Sequence, residues 1–419
     1  GSTYLGGLLG ANFGTISRSH FTGSVTGTEY FTGGLVGLTN PGATITESYA
    51  SGSVSSSYSI TGGLVGYDQG TISKSYSSSN VTGTDRVGGL VGYAYRSSIM
   101  QSHASGIVSG SSKVGGLVGG NERSSISQSH ASGLVSASWA FAGGLVGWND
   151  RSPITQSYAT GNVSAYFQSA GGLVGQSEYA SITQSYATGK VSSRYHVGGL
   201  LGHVSGGLVS QAYATGQVSG EQMVGGLAGT IYNSASVSQS YATGNVSSSD
   251  FRLGGLVGLS YQNSSIAQSY STGTVSGNLE AGGLVGHNEG TISSSYWDVT
   301  TSGKAAMCGV AAGSGRSDAN GLATAHLQDF SSHASTYAGW DFATVWSPPS
   351  QVGQAGQTAG YYPQLYALTP VAVVMPDDAS RNYGDANPDL TGSITGGGPG
   401  YYVFGPAGDS LSLAGLFET

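Results

Sequence analysis

The stretch SITQSYATGKVSSRYHVGGLLG, residues 181–202, contains the parts of a unit that recurs along the chain. Its most regular marker is Gly198-Gly199-Leu200, and the same Gly-Gly-Leu recurs at steps of 26 to 29 residues. It begins at Gly6, Gly33, Gly62, Gly88, Gly115, Gly143, Gly171, Gly198, Gly225, Gly254 and Gly282. A fixed period of this length indicates stacked copies of one supersecondary unit.

Each unit contains three short apolar or alternating runs, separated by Gly, Ser or Asn. Such runs are typical of β-strands, and Gly and Ser would end a helix before its second turn. One unit cannot bury its own apolar face, but stacking buries Leu on Leu, Val on Val and Ile on Ile. We therefore predict an all-β parallel β-helix, or β-solenoid, of about eleven three-stranded coils over residues 1–296.

Glycine supplies 73 of the 419 residues, and the Gly-Gly pair is the most suitable corner of such a coil. A tight corner needs a positive φ angle or a close approach of two backbones, and glycine allows both. A flexible glycine-rich linker would not keep Leu, Val and Tyr at fixed spacing. The regular spacing therefore favours a folded array.

Composition excludes several classes of partner and site. The net charge is −8 and charged residues make up only 8%, whereas nucleic-acid binding needs clustered Lys and Arg. Cys308 is the only cysteine, so neither a disulfide framework nor a Cys-x-x-Cys metal site is expected. No stretch approaches 18 apolar residues, which predicts no membrane insertion by this segment. The chain starts without a signal peptide and runs straight into a repeat, as expected of an excised piece.

The repeat pattern stops after Tyr296, where the composition changes. An array leaves an open sheet edge at its end and needs a cap. We interpret residues 297–370 as a C-terminal cap or spacer, with a possible short helix from Ala323 to Phe330. A third section, residues 371–419, has no obvious end.

These units resemble a known family. The run from Ile182 to Gly189, followed by Val197-Gly198-Gly199-Leu200, looks like the GLUG repeat of filamentous-haemagglutinin-like adhesins and of some bacterial surface peptidases. The motif from Ala379 to Pro388, with Leu390-Thr391-Gly392, resembles the start of an MBG-type repeat. Residues 371–419 are accordingly interpreted as a truncated MBG-like β module.

The resemblance implies a secreted or cell-surface protein of a Gram-negative bacterium, exported by a two-partner or autotransporter-like route with an outer-membrane partner. It also implies a structural and adhesive stalk that mediates attachment to cells, surfaces or biofilm matrix. The implied partner is a receptor on a host cell or a bacterium, or a polysaccharide. Its identity is left open.

Catalytic patterns are scarce in this sequence. There is no His-Glu-x-x-His motif and no calcium-binding Gly-Gly-x-Gly-x-Asp nonapeptide, and carboxylates such as Asp68 and Glu178 occur singly in loops. We therefore expect no enzyme, no catalytic residue, no metal site and no cofactor.

Two columns of side chains follow the period. A glutamine recurs at Gln101, Gln128, Gln156, Gln184, Gln211, Gln239 and Gln268, where stacked amides would hydrogen-bond along the rod. A flat ring recurs at Tyr49, Tyr76, Tyr158, Tyr186, Tyr213, Tyr241 and Tyr270, replaced by His20, His103 and His130. Strict alternation places this ring on the same side as the Ile four residues earlier, which predicts core or half-core packing.

Aromatic residues in the variable loops are the candidate ligand contacts. They flank Gly-Gly-Leu-Val-Gly on both sides and should line two corners of the rod. The candidates are Tyr93, Tyr95, Trp139, Phe141, Trp148, Tyr166, Phe167, Tyr179 and Tyr195. Exposed aromatic stripes mark binding surfaces, so a carbohydrate-binding module is the alternative function. The competing interpretation is that these rings fold over the corners and shield a thin core.

The sequence contains three weaker patterns. Arg96, Arg123 and Arg151 fall one coil apart, and we expect them to be solvated rather than paired with acids or stacked on rings. A threonine column suggests ice binding, but its replacement by serine in several coils makes a poor lattice. Asn-x-Ser/Thr sequons such as the one at Asn162 leave glycosylation open.

Overall fold

The computed structural model describes residues 3–28, 30–57, 60–277, 279–350, 360–368, 373–376 and 392–395. It divides into two compact units, Gly1–Gly321 and Leu322–Thr419. The first unit is a parallel β-solenoid of about twelve turns, and its described strands form three parallel sheets that run along the stack. The predicted fold class is therefore confirmed.

The first sheet has the most segments, because each turn contributes two or three of them. Its described strands are Tyr4–Gly6, His20–Gly27, Phe31–Gly33, Tyr49–Ser56, Ile60–Gly62, Tyr76–Ser77, Asn80–Thr82, Asp85–Gly88, His103–Ala104, Val108–Gly115, His130–Ala131, Val135–Gly143, Tyr158–Ala159, Val163–Ala165, Gln168–Gly171, Tyr186–Ala187, Val191–Ser192, Tyr195–Gly198, Tyr213–Ala214, Val218–Gly225, Tyr241–Ala242, Val246–Gly254, Tyr270–Ser271, Val275–Ser276, Leu279–Gly282, Tyr296–Asp298 and Gly321–Leu322.

The second and third sheets have one strand per turn. The second sheet contains Leu9–Asn12, Val36–Thr39, Val65–Asp68, Val91–Tyr95, Val118–Glu122, Val146–Asp150, Val174–Glu178, Leu201–Ser205, Ala228–Tyr232, Val257–Ser260, Val285–Asn288 and Cys308–Ala311. The third contains Thr15–Ser17, Thr44–Thr46, Thr71–Ser73, Ser98–Met100, Ser125–Ser127, Ile154–Thr155, Ser181–Thr183, Leu208–Ser210, Ser236–Ser238, Ser265–Ala267 and Thr291–Ser293.

Equivalent residues of successive turns lie in register, so the core consists of columns of one side-chain type. Leu90, for example, stacks between Leu64 and Leu117, and all three are fully buried. Ile and Ala columns complete this larger core, and a smaller core of valines lies along the first sheet. Burying each such aliphatic side chain contributes about 1.5–3 kcal/mol, and the repeat multiplies that contribution along the stack.

The Gly-Gly corners exist because backbones approach closely there. A Cβ added at Gly88 would collide with the carbonyl oxygen of Val91, and one added at Gly89 would lie 2.9 Å from the Ala104 Cβ. None of the Gly-Gly pairs at the eleven periodic corners has a positive φ, whereas the additional pair Gly206-Gly207 has φ of 65° and 82°. Of the two reasons that the sequence offers for these glycines, close approach is therefore the one that applies.

Left-handed backbone occurs instead at side-chain-bearing residues, three times in a typical turn. Gln128, with φ of 49°, turns the chain from the third sheet into the first. Arg123, with φ of 51°, turns it from the second sheet into the third. Lys113, with φ of 52°, lies just before a Gly-Gly pair. Non-glycine residues are uncommon in this region, so repeated hydrogen bonding between turns must hold them there.

The stack continues beyond Tyr296. The strand Cys308–Ala311 pairs in parallel with Val285–Asn288, so Cys308 takes the place of a core valine and Met307 that of a core leucine. Trp297 fills the position that small residues hold in earlier turns, and it is fully buried. The first unit therefore ends at Gly321, later than the boundary at residue 296 that the repeat pattern predicts.

Helix is confined to short segments of the described chain. The α-helical turns are Val299–Ser302, Thr324–Leu327 and His333–Thr336, and a 3-10 turn spans Asp318–Asn320. Asp298 caps the first of them, because its side chain accepts hydrogen bonds from the backbone of Thr300 and Thr301. The turn Thr324–Leu327 lies within the predicted helix from Ala323 to Phe330.

The second unit has its own small aromatic core. Trp346 is fully buried and packs against Trp340 with ring centroids 4.6 Å apart, while Tyr337 donates a hydrogen bond to the Leu327 carbonyl at 2.7 Å. Farther along, Val373–Pro376 pairs in antiparallel fashion with Gly392–Thr395. Most of the proposed MBG-like module lies outside the described residues, so that interpretation stays a prediction.

Candidate functional site

The glutamine column lies at the corner between the third and first sheets. Each glutamine has a left-handed backbone with φ of 46–49°, and the side chains point away from the core. Three amide pairs hydrogen-bond between turns: Gln128 to Gln156 at 3.3 Å, Gln184 to Gln211 at 3.1 Å, and Gln239 to Gln268 at 3.3 Å. The amide contacts therefore link turns at a strained corner.

A buried serine column next to this corner was not anticipated from the sequence. Wherever the next turn also has a serine at this position, the serine N–H donates to its Oγ at 3.1–3.3 Å, and each Oγ of the column donates to the carbonyl two residues earlier at 2.7–2.9 Å. The column comprises Ser48, Ser75, Ser102, Ser129, Ser157, Ser185, Ser240, Ser269 and Ser295, with Ala212 as one replacement. In the sequence, this column is indicated by the serine that precedes nearly every Tyr or His of the ring column.

Ser129→Ala is expected to lower the free energy of unfolding by about 1–3 kcal/mol, because it leaves the buried N–H of Ser102 without an acceptor. Ser132→Ala is the matched control, since that side chain is exposed and should change stability by less than about 0.5 kcal/mol. Guanidinium denaturation of both variants checks this. Equal midpoints for the two variants would contradict the proposed role of the serine column.

The Tyr/His column forms a continuous stack of ten rings on the outer side of the first sheet. Neighbouring ring centroids from His20 to Tyr270 are 4.7–5.0 Å apart, and their planes differ by at most 8°. Most of these rings are half-buried, whereas the next residue, such as Ala187, is fully buried. The predicted common side with the preceding Ile is wrong, because the left-handed glutamine interrupts the alternation.

This stack uses the ring faces for contacts between turns. A ring that is covered on both faces offers only its edge and polar tip to a ligand. The column is therefore a poor platform for stacking on sugar rings.

Tyr186→Ala is expected to lower the free energy of unfolding by about 1–3 kcal/mol, since it removes two stacked contacts of about 0.5–1.5 kcal/mol each. Tyr186→His should cost less than about 1 kcal/mol, because His103 and His130 hold the same position in other turns. Guanidinium denaturation distinguishes the two variants. If histidine were as damaging as alanine, ring stacking would not be what this position contributes.

The nine candidate aromatics do not form one stripe. Trp139, Phe167 and Tyr195 form a cluster on the first sheet, in which Trp139 and Phe167 stack at 4.9 Å and Tyr195 meets Phe167 edge-on at 5.2 Å. Tyr166 lies beside this cluster and is 67% exposed. The Arg194 guanidinium covers both Phe167 and Tyr195, at 5.8 and 5.4 Å from the ring centroids.

A second group lies on the outer side of the second sheet. Tyr93 stacks on Tyr67 at 5.4 Å and lies under the Arg86 guanidinium at 5.0 Å. Trp148 lies under the Lys113 ammonium at 5.6 Å and donates to Glu178 at 3.2 Å. Phe141 lies in the neighbouring first sheet, where its left-handed backbone is in the same column as Lys113. The half-buried Phe141 side chain and the covered rings of Tyr93 and Trp148 agree better with shielding of the core than with an open binding platform.

The third group lies at the corner between the second and third sheets. Arg96 covers the Tyr95 ring at 5.2 Å. Arg151 lies 5.7 Å from the Tyr179 ring centroid, and Asn233 Nδ2 donates to the Tyr179 hydroxyl at 2.6 Å. Arg96 and Arg151 therefore contact rings, and the expectation that they are simply solvated is wrong for these two.

The half-buried His196 and His203 and the fully buried Asp68 have strongly shifted pKa values. Burial lowers the pKa of His196 to about 4 and that of His203 to about 3, and His196 Nδ1 lies 2.8 Å from the Thr230 hydroxyl. Burial raises the pKa of Asp68 to about 6. Each of these shifts follows from removing a charge from water, which disfavours the ionised form.

Two features are absent from the described residues. The described residues place no group of three or more His, Cys, Asp or Glu side chains where it could hold a metal ion. They also contain no helix that is long and apolar enough to cross a membrane.

Comparison with known families identifies the repeat. The GLUG motif matches the chain at six places, residues 1–26, 83–109, 168–192, 193–219, 220–247 and 249–276. Neither the curated proteins nor the solved structures contain a significant match. The matched segments coincide with turns of the solenoid, and the chain therefore contains a GLUG-repeat region.

Proposed function

We propose that this chain is a non-catalytic stalk segment of a large secreted or cell-surface bacterial adhesin, mediating attachment to cells, surfaces or biofilm matrix. GLUG repeats and a β-solenoid fit a repeat-rich extracellular protein. The observation that carries the proposal is the continuous parallel pairing of successive turns. From Tyr4 to Ala311, described strands pair in parallel with the turn before and the turn after.

Such a stack resists bending and stretching because every turn is joined to the next by several independent networks. These are the backbone hydrogen bonds, the serine column, the ring column and the two apolar cores. Each turn contacts its neighbours, so length can change by whole turns without altering the fold. A segment of this kind spaces a binding element away from a surface.

Antibody labelling of intact bacteria tests the location. The stalk proposal expects an antibody raised against this chain to label cells whose outer membrane has not been permeabilised. A strain with residues 1–321 deleted in frame should then lose most of its attachment to host cells and biofilm. Labelling that requires permeabilisation, or unchanged attachment of the deletion strain, would contradict the proposal.

Carbohydrate binding is the second candidate function. One observation favours it: Tyr166 remains largely exposed, whereas Tyr179, which is 52% exposed, has its hydroxyl hydrogen-bonded and its ring under an arginine. An unoccupied aromatic face at a polar surface is suited to a sugar ring. Because this observation is local, it concerns one site and not the whole stalk.

A further inference from the structure

We infer that the hollow bounded by Tyr166, Arg194 and Glu221 binds a neutral saccharide. This inference rests on the carbohydrate-binding candidate above and assigns it a site and a ligand class. It is independent of the stalk proposal, since a stalk needs no ligand. The hollow has a volume of about 550 Å³, and Ser192 and Ser219 contribute to its lining. The hollow is shallow and open to solvent, so it contacts one side of a ligand.

The hollow exists because the first sheet is interrupted in two neighbouring turns. One turn breaks between Ala165 and Gln168, and the next breaks between Ser192 and Tyr195. The following turn continues without interruption from Val218 to Gly225. Tyr166 and Arg194 lie at these breaks, so their side chains border a depression whose floor is the first sheet.

The chemistry of the lining favours a polyol. Tyr166 has no ring partner within the described part of the chain, and its ring is available to the apolar face of a sugar. Arg194 Nε donates to both oxygens of Glu221, at 2.9 and 3.0 Å. The Nη groups of Arg194 make no hydrogen bond to any described residue, so they are available to sugar hydroxyls. The Glu221 oxygens retain further lone pairs, since a carboxylate accepts several hydrogen bonds.

Charge balance within the hollow at Tyr166 argues against a strongly ionic ligand. The guanidinium and the carboxylate of the Arg194–Glu221 pair neutralise each other within the hollow. An adjoining hollow of about 330 Å³ shares Ser192 and Ser219 and adds Asn162, Lys190 and Gln217. Its lining combines hydroxyl and amide groups with the aliphatic Leu134, Val163 and Val191, and Lys190 adds one positive charge. The two hollows together follow the strand direction, which suits a short oligosaccharide rather than a single sugar.

The test uses the full chain and an array of neutral oligosaccharides of glucose, galactose, mannose and N-acetylglucosamine, printed beside sulfated and uronic-acid oligosaccharides. The chain is expected to bind at least one neutral oligosaccharide. Titration of that oligosaccharide in solution should give an affinity that changes little between low and high salt. Tyr166→Ala should weaken binding at least tenfold, and Tyr166→Phe, which keeps the ring, should stay within about threefold of the parent.

Glu221→Gln should also weaken binding, because it removes charge-assisted acceptors. Tyr179→Ala is the matched control: it removes another exposed tyrosine, outside the hollow, and should bind like the parent chain. Circular dichroism must show the same β-signal for all variants. The inference is overturned if no neutral oligosaccharide binds, if Tyr166→Ala binds like the parent, or if only acidic oligosaccharides bind and high salt abolishes their binding. None of these outcomes affects the attachment and labelling results that test the stalk.

Discussion

Asp68→Asn is expected to raise the free energy of unfolding of the solenoid at pH 7.5 by up to about 3 kcal/mol. Asp68 is fully buried, and its pKa is raised from 3.8 to about 6 by burial. Each pKa unit corresponds to about 1.4 kcal/mol. The rise from 3.8 to about 6 therefore means that keeping this carboxylate ionised in the folded state costs about 3 kcal/mol. Asparagine has the same shape and carries no charge to desolvate.

The hydrogen-bond donors around Asp68 favour its ionised form, but they do not offset its burial. Asp68 Oδ1 accepts from the Gly70 N–H at 3.2 Å, and Oδ2 makes no hydrogen bond of good geometry among the described residues, although two hydroxyls lie near it. The same column has asparagine in later turns, where Asn121 Nδ2 donates to Asn149 Oδ1 at 2.8 Å. An amide at position 68 can donate to the nearby hydroxyl oxygens, which a carboxylate cannot.

The pH dependence provides an independent check. Because the folded pKa of Asp68 lies above the unfolded value, the protonated folded state is favoured below about pH 4, and that stability is lost as the pH rises toward about 6. The gain in the free energy of unfolding of Asp68→Asn over the parent should therefore appear between pH 4 and pH 6 and stay constant above pH 6. His196 and His203 titrate in both the parent and the variant. The difference in the free energy of unfolding between the two proteins therefore isolates Asp68. A variant that is less stable at pH 7.5 would contradict this explanation.

Gly171→Ala is expected to lower the free energy of unfolding by about 3 kcal/mol or more. The added methyl group would collide with the Val174 carbonyl and lie 2.7 Å from the backbone nitrogen of Gly202 in the next turn. Both neighbours are backbone atoms held in sheets, so neither can move without separating turns. Overpacking of a rigid interior usually costs about 1–3 kcal/mol, and immobile backbone raises that cost.

Gly14→Ala is the control for this substitution. A Cβ added at Gly14 would meet no atom within 4 Å, and its backbone has no positive φ. The loss of chain entropy in the unfolded state is the same for both substitutions, so Gly14→Ala should be neutral or stabilising by less than about 1 kcal/mol. Denaturation curves with equal midpoints for the two variants would show that the Gly-Gly corners are not crowded.

The sequence predicts the period, the parallel stacking and the identity of the core columns, because burial requires the same apolar residue at the same place in every turn. Leu117 and Ile126 are examples of residues predicted and found in the core. The corners are harder to predict. Glutamine, lysine and arginine have no special preference for left-handed backbone, so their role at Gln128 or Arg123 depends on hydrogen bonds between turns.

The same dependence on the neighbouring turn limits the prediction of the site. Tyr166 and Tyr195 are both loop tyrosines beside a variable run, yet only Tyr195 lies under Arg194 and against Phe167. Whether a ring is covered is decided by the residue above or below it, one turn away. The last turn shows this too, because Met307 and Cys308 replace Leu and Val in the core without preserving the Gly-Gly-Leu motif.

The distance between two spin labels tests most directly the claim that each repeat is one turn of a continuous stack. Ser78 and Thr215 are exposed positions of one column, five turns apart, and they can carry the labels once the buried Cys308 is replaced by alanine. The labelled backbone positions should lie about 24 Å apart at ~4.8 Å per turn. Deleting residues 144–171 removes one turn and should shorten that distance by about 5 Å with an equally narrow distribution. An unchanged distance, or a broad one after the deletion, would contradict the stacked-turn architecture on which the stalk proposal depends.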